Sequence, residues 1–154
     1  MSDKNRFSDS SAKSYSQALY ELASEEKKLN DVEEHAISII KLISQSEDFN
    51  SLIKDPTNKQ EDQLNVINLI FEKFSLNNLL KKFLNFLVMK RRFFYVEKIL
   101  KDFVTICSKN RGEIFAKLTV AKELNENEII KIKDELSKNF GSNVKLNYNY
   151  DPNL

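Results

Sequence analysis

The final part of the chain constrains the fold most, because its hydrophobic period changes twice. Alternating apolar residues predict a β-strand over residues 114–120. Asn125 with Glu128 three residues later resembles a capping box, and a helical period follows until Gly141, a typical helix stop. Alternation then returns over residues 144–148. The segment is therefore a strand, a helix and a strand, with apolar positions Ile114, Ala116, Leu118 and Val120, then Ile129, Ile132, Leu136 and Phe140, then Val144, Leu146 and Tyr148.

The preceding segment has helical periodicity throughout. Two glycines and two prolines leave few places to break a helix, and 41% hydrophobic with 31% charged residues is typical of soluble amphipathic helices. We therefore predict a mainly α fold, with a six-helix N-terminal bundle over residues 1–110 and a small α/β C-terminal domain over residues 111–154. Residues 1–9 are polar and are expected to be loose. The first predicted helix has about three turns, with apolar residues from Tyr15 to Ala23, and the second spans residues 31–44. The third is short, is capped by Ser46 and ends near Asp55, and the fourth begins at Asn58. The fifth spans residues 79–89 and is started by Asn77 or Asn78, and the sixth spans residues 95–110.

Charge and composition limit the environment in which the chain can work. The formal net charge of +1 gives no global field that favours nucleic acid or an anionic membrane. A single cysteine excludes an internal disulfide and a cysteine metal cluster. The N-terminus lacks a signal-peptide core, and no run approaches the roughly 20 apolar residues of a membrane helix. We expect a cytosolic chain that associates with a membrane only through a partner.

No constellation of catalytic or metal-binding residues is visible in the sequence. His35 is the single histidine, and its neighbours Glu33 and Glu34 point elsewhere on a helix, which favours a solvated or cap-satisfied surface histidine over a catalytic or metal-binding one. Cys107 lies on the apolar stripe of the sixth helix, which indicates a small buried hydrophobe. The two glycines form neither a G-x-x-x-x-G-K-S/T nor a G-x-G-x-x-G segment, so no phosphate-binding glycine loop of these types is present in the sequence. The chain is expected to be non-catalytic and to bind no cofactor and no metal.

One basic and aromatic cluster supports an alternative function as a helical RNA-binding factor. Residues 90–92 are cationic and residues 93–95 are aromatic, which is a pattern found in RNA contacts. The competing interpretation is that the cations lie at the C-terminal end of the fifth helix, where its dipole favours them, while the aromatic rings join the core. Lys81 and Lys82 complete this cluster.

Two of the predicted helices carry apolar residues that need not all be buried in the core of the bundle. The stripe of the first helix mixes alanine with larger residues, so it either packs on the bundle or lets a partner helix approach closely. The fifth helix is apolar around most of its circumference, which is typical of a helix that is central in its domain or docked on a partner.

Several segments together resemble one family. They are YSQALYELA, the LIKDP turn with the later IFEKF, the stretch from FLVMKRRFFYVEKIL to LTVAKELNENE, and the terminal KLNYNYDPNL. In order and spacing they resemble the delta subunit of bacterial F-type ATP synthase, whose mitochondrial counterpart is the oligomycin-sensitivity-conferring protein. The resemblance implies a non-catalytic stator subunit that links the catalytic head to the peripheral stalk for proton-driven ATP synthesis.

The resemblance also implies partners and a location. In the family, the first and fifth helices form a groove for N-terminal helices of the alpha subunits, and the C-terminal domain meets the b subunits of the peripheral stalk. No nucleic acid is implied, and the complex places the subunit peripherally at the cytoplasmic face of the bacterial inner membrane. The chain departs from the family at DPNL, where relatives continue with a strand and a helix, so we expect a truncated C-terminal domain. The partner-binding residues carried over are Tyr15, Ala18, Leu19, Leu22, Ala23, Phe83, Phe86, Leu87 and Arg91.

Overall fold

The computed structural model describes the backbone of residues 2–112, 114–140 and 144–153, and the side chains of residues 10–112, 118–139, 144 and 146–153. Seven α-helices and two β-strands are found in these ranges. In chain order they are α1 (Ser2–Glu25), α2 (Leu29–Gln45), α3 (Glu47–Lys54), α4 (Gln60–Lys73), α5 (Asn78–Met89), a 3-10 turn (Phe93–Tyr95), α6 (Val96–Asn110), β1 (Ile114–Val120), α7 (Glu126–Phe140) and β2 (Val144–Tyr150).

Contacts within the chain divide it into two compact units, Met1–Cys107 and Ser108–Leu154. The first unit holds the hydrophobic core, to which all six of its helices contribute. Its largest fully buried side chain is that of Phe103 on α6, and Cys107 is buried as well. The other largest fully buried side chains of this core are Leu19, Val32, Ile39, Ile67, Leu80, Leu84, Leu87, Val88, Val96, Ile99 and Leu100.

Side chains cap the helix starts as the sequence predicts at three places. Ser46 Oγ accepts from the Phe49 N–H at 3.2 Å, and Asn77 Oδ1 accepts from the Leu79 N–H at 2.8 Å. Asn125 Oδ1 accepts from the Glu128 N–H at 2.9 Å at the start of α7. Each bond satisfies one of the orphan N–H groups in the first turn of a helix.

The prediction for the start of the fourth helix is wrong. The helix α4 begins at Gln60, and the side chain of Asn58 instead serves the preceding helix. Its Nδ2 donates to the carbonyl oxygens of Ser51 at 3.2 Å and Leu52 at 3.3 Å, which lie in the last turn of α3. An asparagine can cap either end of a helix. Here its amide adds a donor to two carbonyls of the last turn of α3, which also accept from the Asp55 N–H and from Gln63 Nε2, each at 2.9 Å.

Three helices end in a left-handed residue that is not glycine. Among the described residues, Lys27, Ser75 and Arg91 have φ of 55°, 50° and 57°. At the end of α5 the Arg92 N–H donates to the Leu87 carbonyl at 2.8 Å, and the Arg91 N–H donates to the Val88 carbonyl at 3.0 Å. These two bonds form a Schellman motif, in which glycine is the usual left-handed residue. A chain with two glycines must place other residues there.

The second unit is a parallel strand pair joined by a helix. Strands β1 and β2 pair in parallel, with Ile114 opposite Val144 and Val120 opposite Tyr150. Parallel strands need a long crossover, which α7 supplies, and α7 contacts β2. The loop after β1 is fixed because the Leu124 N–H donates to Tyr148 Oη at 2.9 Å.

The predicted fold class, mainly α with a small α/β part, is confirmed. The expectation that residues 1–9 are loose is wrong for residues 2–9, because α1 begins at Ser2. This stretch contains no glycine or proline, so nothing in it breaks a helix that continues from the apolar stripe. The predicted stop at Gly141 lies outside the described residues.

Candidate functional site

Among the described residues of the first unit, an apolar groove with a volume of about 1110 Å³ lies between α1 and α5. Tyr15, Ala18 and Leu22 of α1 line one side. Leu79, Phe83 and Phe86 of α5 line the other. The polar rim consists of Ser10, Ser11, Ser14, Glu26, Lys28, Asn77, Asn78 and Lys82. We call this surface the α1/α5 groove.

Aromatic contacts hold part of the groove together. The rings of Tyr15 and Phe86 meet edge to face, with 6.3 Å between their centroids. The Lys90 ammonium lies 5.7 Å from the centroid of the Phe86 ring. Edge-to-face rings are an attractive arrangement, so the two helices present these aromatic side chains in a defined geometry.

Large apolar side chains remain exposed in the groove. Leu22 and Phe86 are each 46% exposed, and Ala18 is exposed between them and the rim. A small residue beside larger ones deepens the surface, which suits the approach of a helix. The charges at the rim are mixed, with one carboxylate from Glu26 and ammonium groups from Lys28 and Lys82.

The structure separates the predicted partner-binding residues into two sets. Tyr15, Ala18, Leu22, Phe83 and Phe86 line the α1/α5 groove. Among these, Phe83 is 7% exposed and so contributes the floor.

The other predicted residues do not line the groove. Leu19, Ala23 and Leu87 are fully buried in the core of the bundle, because they project from the inward side of the same two helices. Arg91 follows the end of α5 and lies beside a different, smaller cleft of about 230 Å³ near the α3–α4 turn. Its backbone is used in the Schellman motif. The structure places none of these four residues in the lining of the α1/α5 groove.

Two parts of the groove lining, Leu79 and the polar rim, are absent from the partner-binding residues predicted from the sequence. Leu79 lies four and seven residues before Phe83 and Phe86, which is the helical spacing of one face, and this spacing was a usable signal. The polar rim, including Asn78 and Lys82, carries no apolar pattern and could be found only from the fold.

The remaining candidate residues have structural contacts. His35 is half-buried, and its Nδ1 accepts a hydrogen bond from the Asn77 N–H at 2.9 Å. Cys107 is buried, as predicted. Within the described side chains, no group of three or more possible metal ligands is found. No described helix is long and apolar enough to cross a membrane.

The basic and aromatic cluster is dispersed in the structure. Phe93 is buried in the core, whereas Phe94 is 49% exposed with Lys54 Nζ 4.6 Å above its ring. Lys90 and Arg91 lie at the C-terminal end of α5, as the competing interpretation predicts.

The fold and the groove define a class of protein: a mainly α chain of two units, in which a helical bundle exposes a large apolar groove. Comparison with protein families gives the same class a name. The family model described as ATP synthase delta (OSCP) subunit matches residues 12–154. The chain belongs to this family.

Individual relatives agree with this assignment. The chain is similar to ATP synthase subunit delta of Pelagibacter ubique, with 61% identity over 154 residues, covering 100% of this chain and 83% of that protein. The subunit delta of Brucella ovis is 33% identical over 143 residues, covering 93% and 77%. In a cryo-EM structure of the Toxoplasma gondii mitochondrial ATP synthase hexamer, one chain has the same fold, with a TM-score of 0.79 at 17% identity, covering 91% of this chain and 78% of that one.

Family membership fixes the general role. The chain is a non-catalytic subunit of F-type ATP synthase and part of its stator, the peripheral stalk, within a membrane-bound complex. The alternative function as an RNA-binding factor receives no support from these comparisons.

Proposed function

We propose that the α1/α5 groove binds an N-terminal helix of an alpha subunit, and that residues 111–154 contact the b subunits of the peripheral stalk. The chain would then join the catalytic head to the stalk at the cytoplasmic face of the bacterial inner membrane. A rotor turning inside the head would drag the head round unless such a link resists the torque. The contact must therefore be tight and lasting.

The observation that carries this proposal is the exposed apolar surface of the groove. An amphipathic helix binds such a groove through side chains spaced three and four residues apart. Phe86 illustrates the available energy: 46% of a phenylalanine surface of about 200 Å² is about 90 Å², and burying it is worth about 2 kcal/mol. A few anchors of this size, well packed, are compatible with nanomolar affinity, which is about −12 kcal/mol.

The geometry narrows the residues proposed to touch the alpha helix. They are Tyr15, Ala18, Leu22, Phe83 and Phe86, with Leu79 added. Leu19, Ala23 and Leu87 support the groove from inside the bundle instead.

The proposal is tested by titrating the 154-residue chain with a synthetic peptide of the alpha-subunit N-terminus, using calorimetry. Phe86→Asp should raise the Kd by at least about thirtyfold, which corresponds to the loss of about 2 kcal/mol. The bundle should keep its circular dichroism spectrum, because Phe86 is half-exposed.

Phe94→Asp is the matched control. Like Phe86, Phe94 is nearly half-exposed, meets a tyrosine edge to face with a centroid distance of 5.4 Å, and lies under a lysine, but it is outside the groove. Phe94→Asp should leave the Kd unchanged. Equal weakening by both substitutions, or no saturable binding by the wild-type chain, would refute the groove assignment.

Salt separates groove binding from a charge-driven interaction. Docking of an apolar face should change little between low and moderate salt, whereas binding to a nucleic-acid backbone falls steeply. The stalk contact is tested separately by adding the soluble part of b to the same chain. Binding of the alpha peptide without binding of b would retain the first half of the proposal and refute the second.

A further inference from the structure

We infer that His35 is a positioning residue for the α1/α5 groove and makes the affinity of the groove for its helix fall as the pH falls. This inference rests on the proposed function of the groove. The observation behind it is one hydrogen bond: the Asn77 N–H donates to His35 Nδ1 at 2.9 Å. Asn77 itself lines the groove, whereas His35 lies in a separate cleft between α2 and α4.

The hydrogen bond fixes the start of a groove wall. Asn77 is the N-cap of α5, and its Oδ1 accepts from the N–H groups of Leu79 at 2.8 Å and Leu80 at 3.4 Å. Asn77, Asn78 and Leu79 all line the groove. His35 therefore holds, from the far side, the turn from which three lining residues project.

An accepting Nδ1 requires an imidazole without a proton on that nitrogen. Histidine is the ordinary side chain whose charge changes between pH 8 and pH 5, and this chain has one. A proton on Nδ1 turns the acceptor into a donor that faces the Asn77 N–H. It also places a positive charge beside the N-terminus of α5, where the helix dipole is positive. Both effects release the first turn of α5 on acidification.

Charged groups from the surrounding elements set the context of this switch. Glu34 and Lys41 of α2 line the cleft around His35, and Asp31 lies one turn earlier on α2. The part of the cleft wall formed by α4 and the α4–α5 turn is Ile70, Phe74 and Leu76, none of which titrates. On the groove side of Asn77, the charged groups are Glu26, Lys28 and Lys82.

The test compares three forms of the full chain at pH 7.5 and pH 5.5, using anisotropy of a labelled, acetylated alpha-subunit peptide without histidine. The Kd of the wild type should rise roughly fivefold at pH 5.5, the equivalent of one lost backbone hydrogen bond. His35→Asn keeps an acceptor near the position of Nδ1 but cannot gain a proton in this range. Its Kd should equal the wild-type value at pH 7.5 and change less than about twofold with pH. His35→Leu removes the acceptor and should be weakened at both pH values alike.

The outcomes separate this inference from the proposal on which it rests. Equal wild-type Kd values at the two pH values, or a His35→Asn variant as pH-sensitive as the wild type, would overturn the inference and leave the groove assignment intact. Absence of binding at pH 7.5 would refute the groove assignment. The amide resonances of Asn77 and Leu79 give an answer without any peptide. They should shift between pH 7.5 and pH 5.5 in the wild type and not in His35→Asn, and unchanged positions in the wild type would also overturn the inference.

Discussion

Replacing Arg91 by glycine should stabilise the helical bundle. Arg91 has a φ of 57° at the end of α5, and its side chain is exposed. Its N–H donates to the Val88 carbonyl at 3.0 Å, and the next N–H closes the Schellman motif. Glycine can keep both backbone bonds while removing the crowding of the Cβ atom against the following carbonyl oxygen.

The size of the effect follows from two opposing contributions. A left-handed conformation costs a residue with a Cβ roughly 1–2 kcal/mol. Against this gain, glycine lowers the stability by about 0.4–1 kcal/mol, because the unfolded chain has more conformational freedom to lose on folding. The free energy of unfolding should therefore rise by about 0.5–1 kcal/mol. Lys27 and Ser75 share the left-handed conformation, so the triple glycine variant should gain about 2 kcal/mol if the three sites act independently.

The assay is urea unfolding followed by circular dichroism at 222 nm, with Lys90→Gly as the control. Lys90 is the neighbouring exposed cation, and its φ of −85° is normal for any residue. Glycine at position 90 relieves no backbone strain, so Lys90→Gly should lower the free energy of unfolding by about 0.5–1 kcal/mol. The reasoning is wrong if Arg91→Gly is no more stable than the wild type, or if the two variants change in the same direction.

Two further predictions concern hydrogen bonds. Ser16 is fully buried, and its Oγ lies 2.8 Å from the Ile99 carbonyl of α6, so Ser16→Ala should lower the free energy of unfolding by about 1 kcal/mol. Ser14 is exposed and bonds only its own helix, so Ser14→Ala should change the free energy of unfolding by less than about 0.5 kcal/mol. Equal losses for the two variants in urea unfolding would contradict this prediction. The side-chain hydroxyl and the backbone N–H of Thr57 hold the pKa of Asp55 below its ordinary 3.8, so its contribution to stability is present above that value and is lost as the pH falls through the folded-state pKa. Asp55→Asn keeps an acceptor but does not titrate, so the stability difference between wild type and variant should shrink between pH 5 and pH 3 in matched unfolding curves, and a constant difference would contradict the assignment.

Much of the fold could be predicted because its signals are local. The caps at Ser46, Asn77 and Asn125 depend on one side chain and the next few N–H groups, and the structure contains all three bonds. The change from helical to alternating periodicity likewise predicted β1, α7 and β2. Asn58 failed as a helix start because the choice between the two helix ends depends on where α3 and α4 lie in space.

The groove could be predicted only in part, since periodicity does not tell the side of a helix that faces the bundle from the side that faces a groove. On α1, Leu19 and Ala23 are buried, whereas Tyr15, Ala18 and Leu22 line the groove, yet all five lie on one apolar stripe. The two sets lie on neighbouring faces of the same helix, within the width that an amphipathic stripe spans. Which of them faces inward is decided by contacts with other helices.

Ser16 illustrates a polar side chain on the inward side of α1. It is a polar residue with no exposed surface, between Ala12 and Leu19 on the inward side. Its hydroxyl can be buried there because two carbonyl oxygens lie within hydrogen-bond distance of its Oγ, that of Ala12 on the same helix at 2.7 Å and that of Ile99 on α6 at 2.8 Å. A polar group that is buried with a partner costs little. Hydropathy alone would assign this serine to the surface, although Ala12 and Leu19 on the same side are apolar.

The same division on α1 and α5 separates stability from binding. Inward residues such as Leu19 and Leu87 are fully buried, so truncating them should leave cavities and weaken the bundle together with any contact that the bundle supports. Outward residues such as Leu22 and Phe86 are each 46% exposed, so changing them should weaken partner binding while the bundle stays folded. A link that transmits torque would benefit from this arrangement under the proposed function, because α1 and α5 are held by one core while their other faces are left for the proposed partner helix.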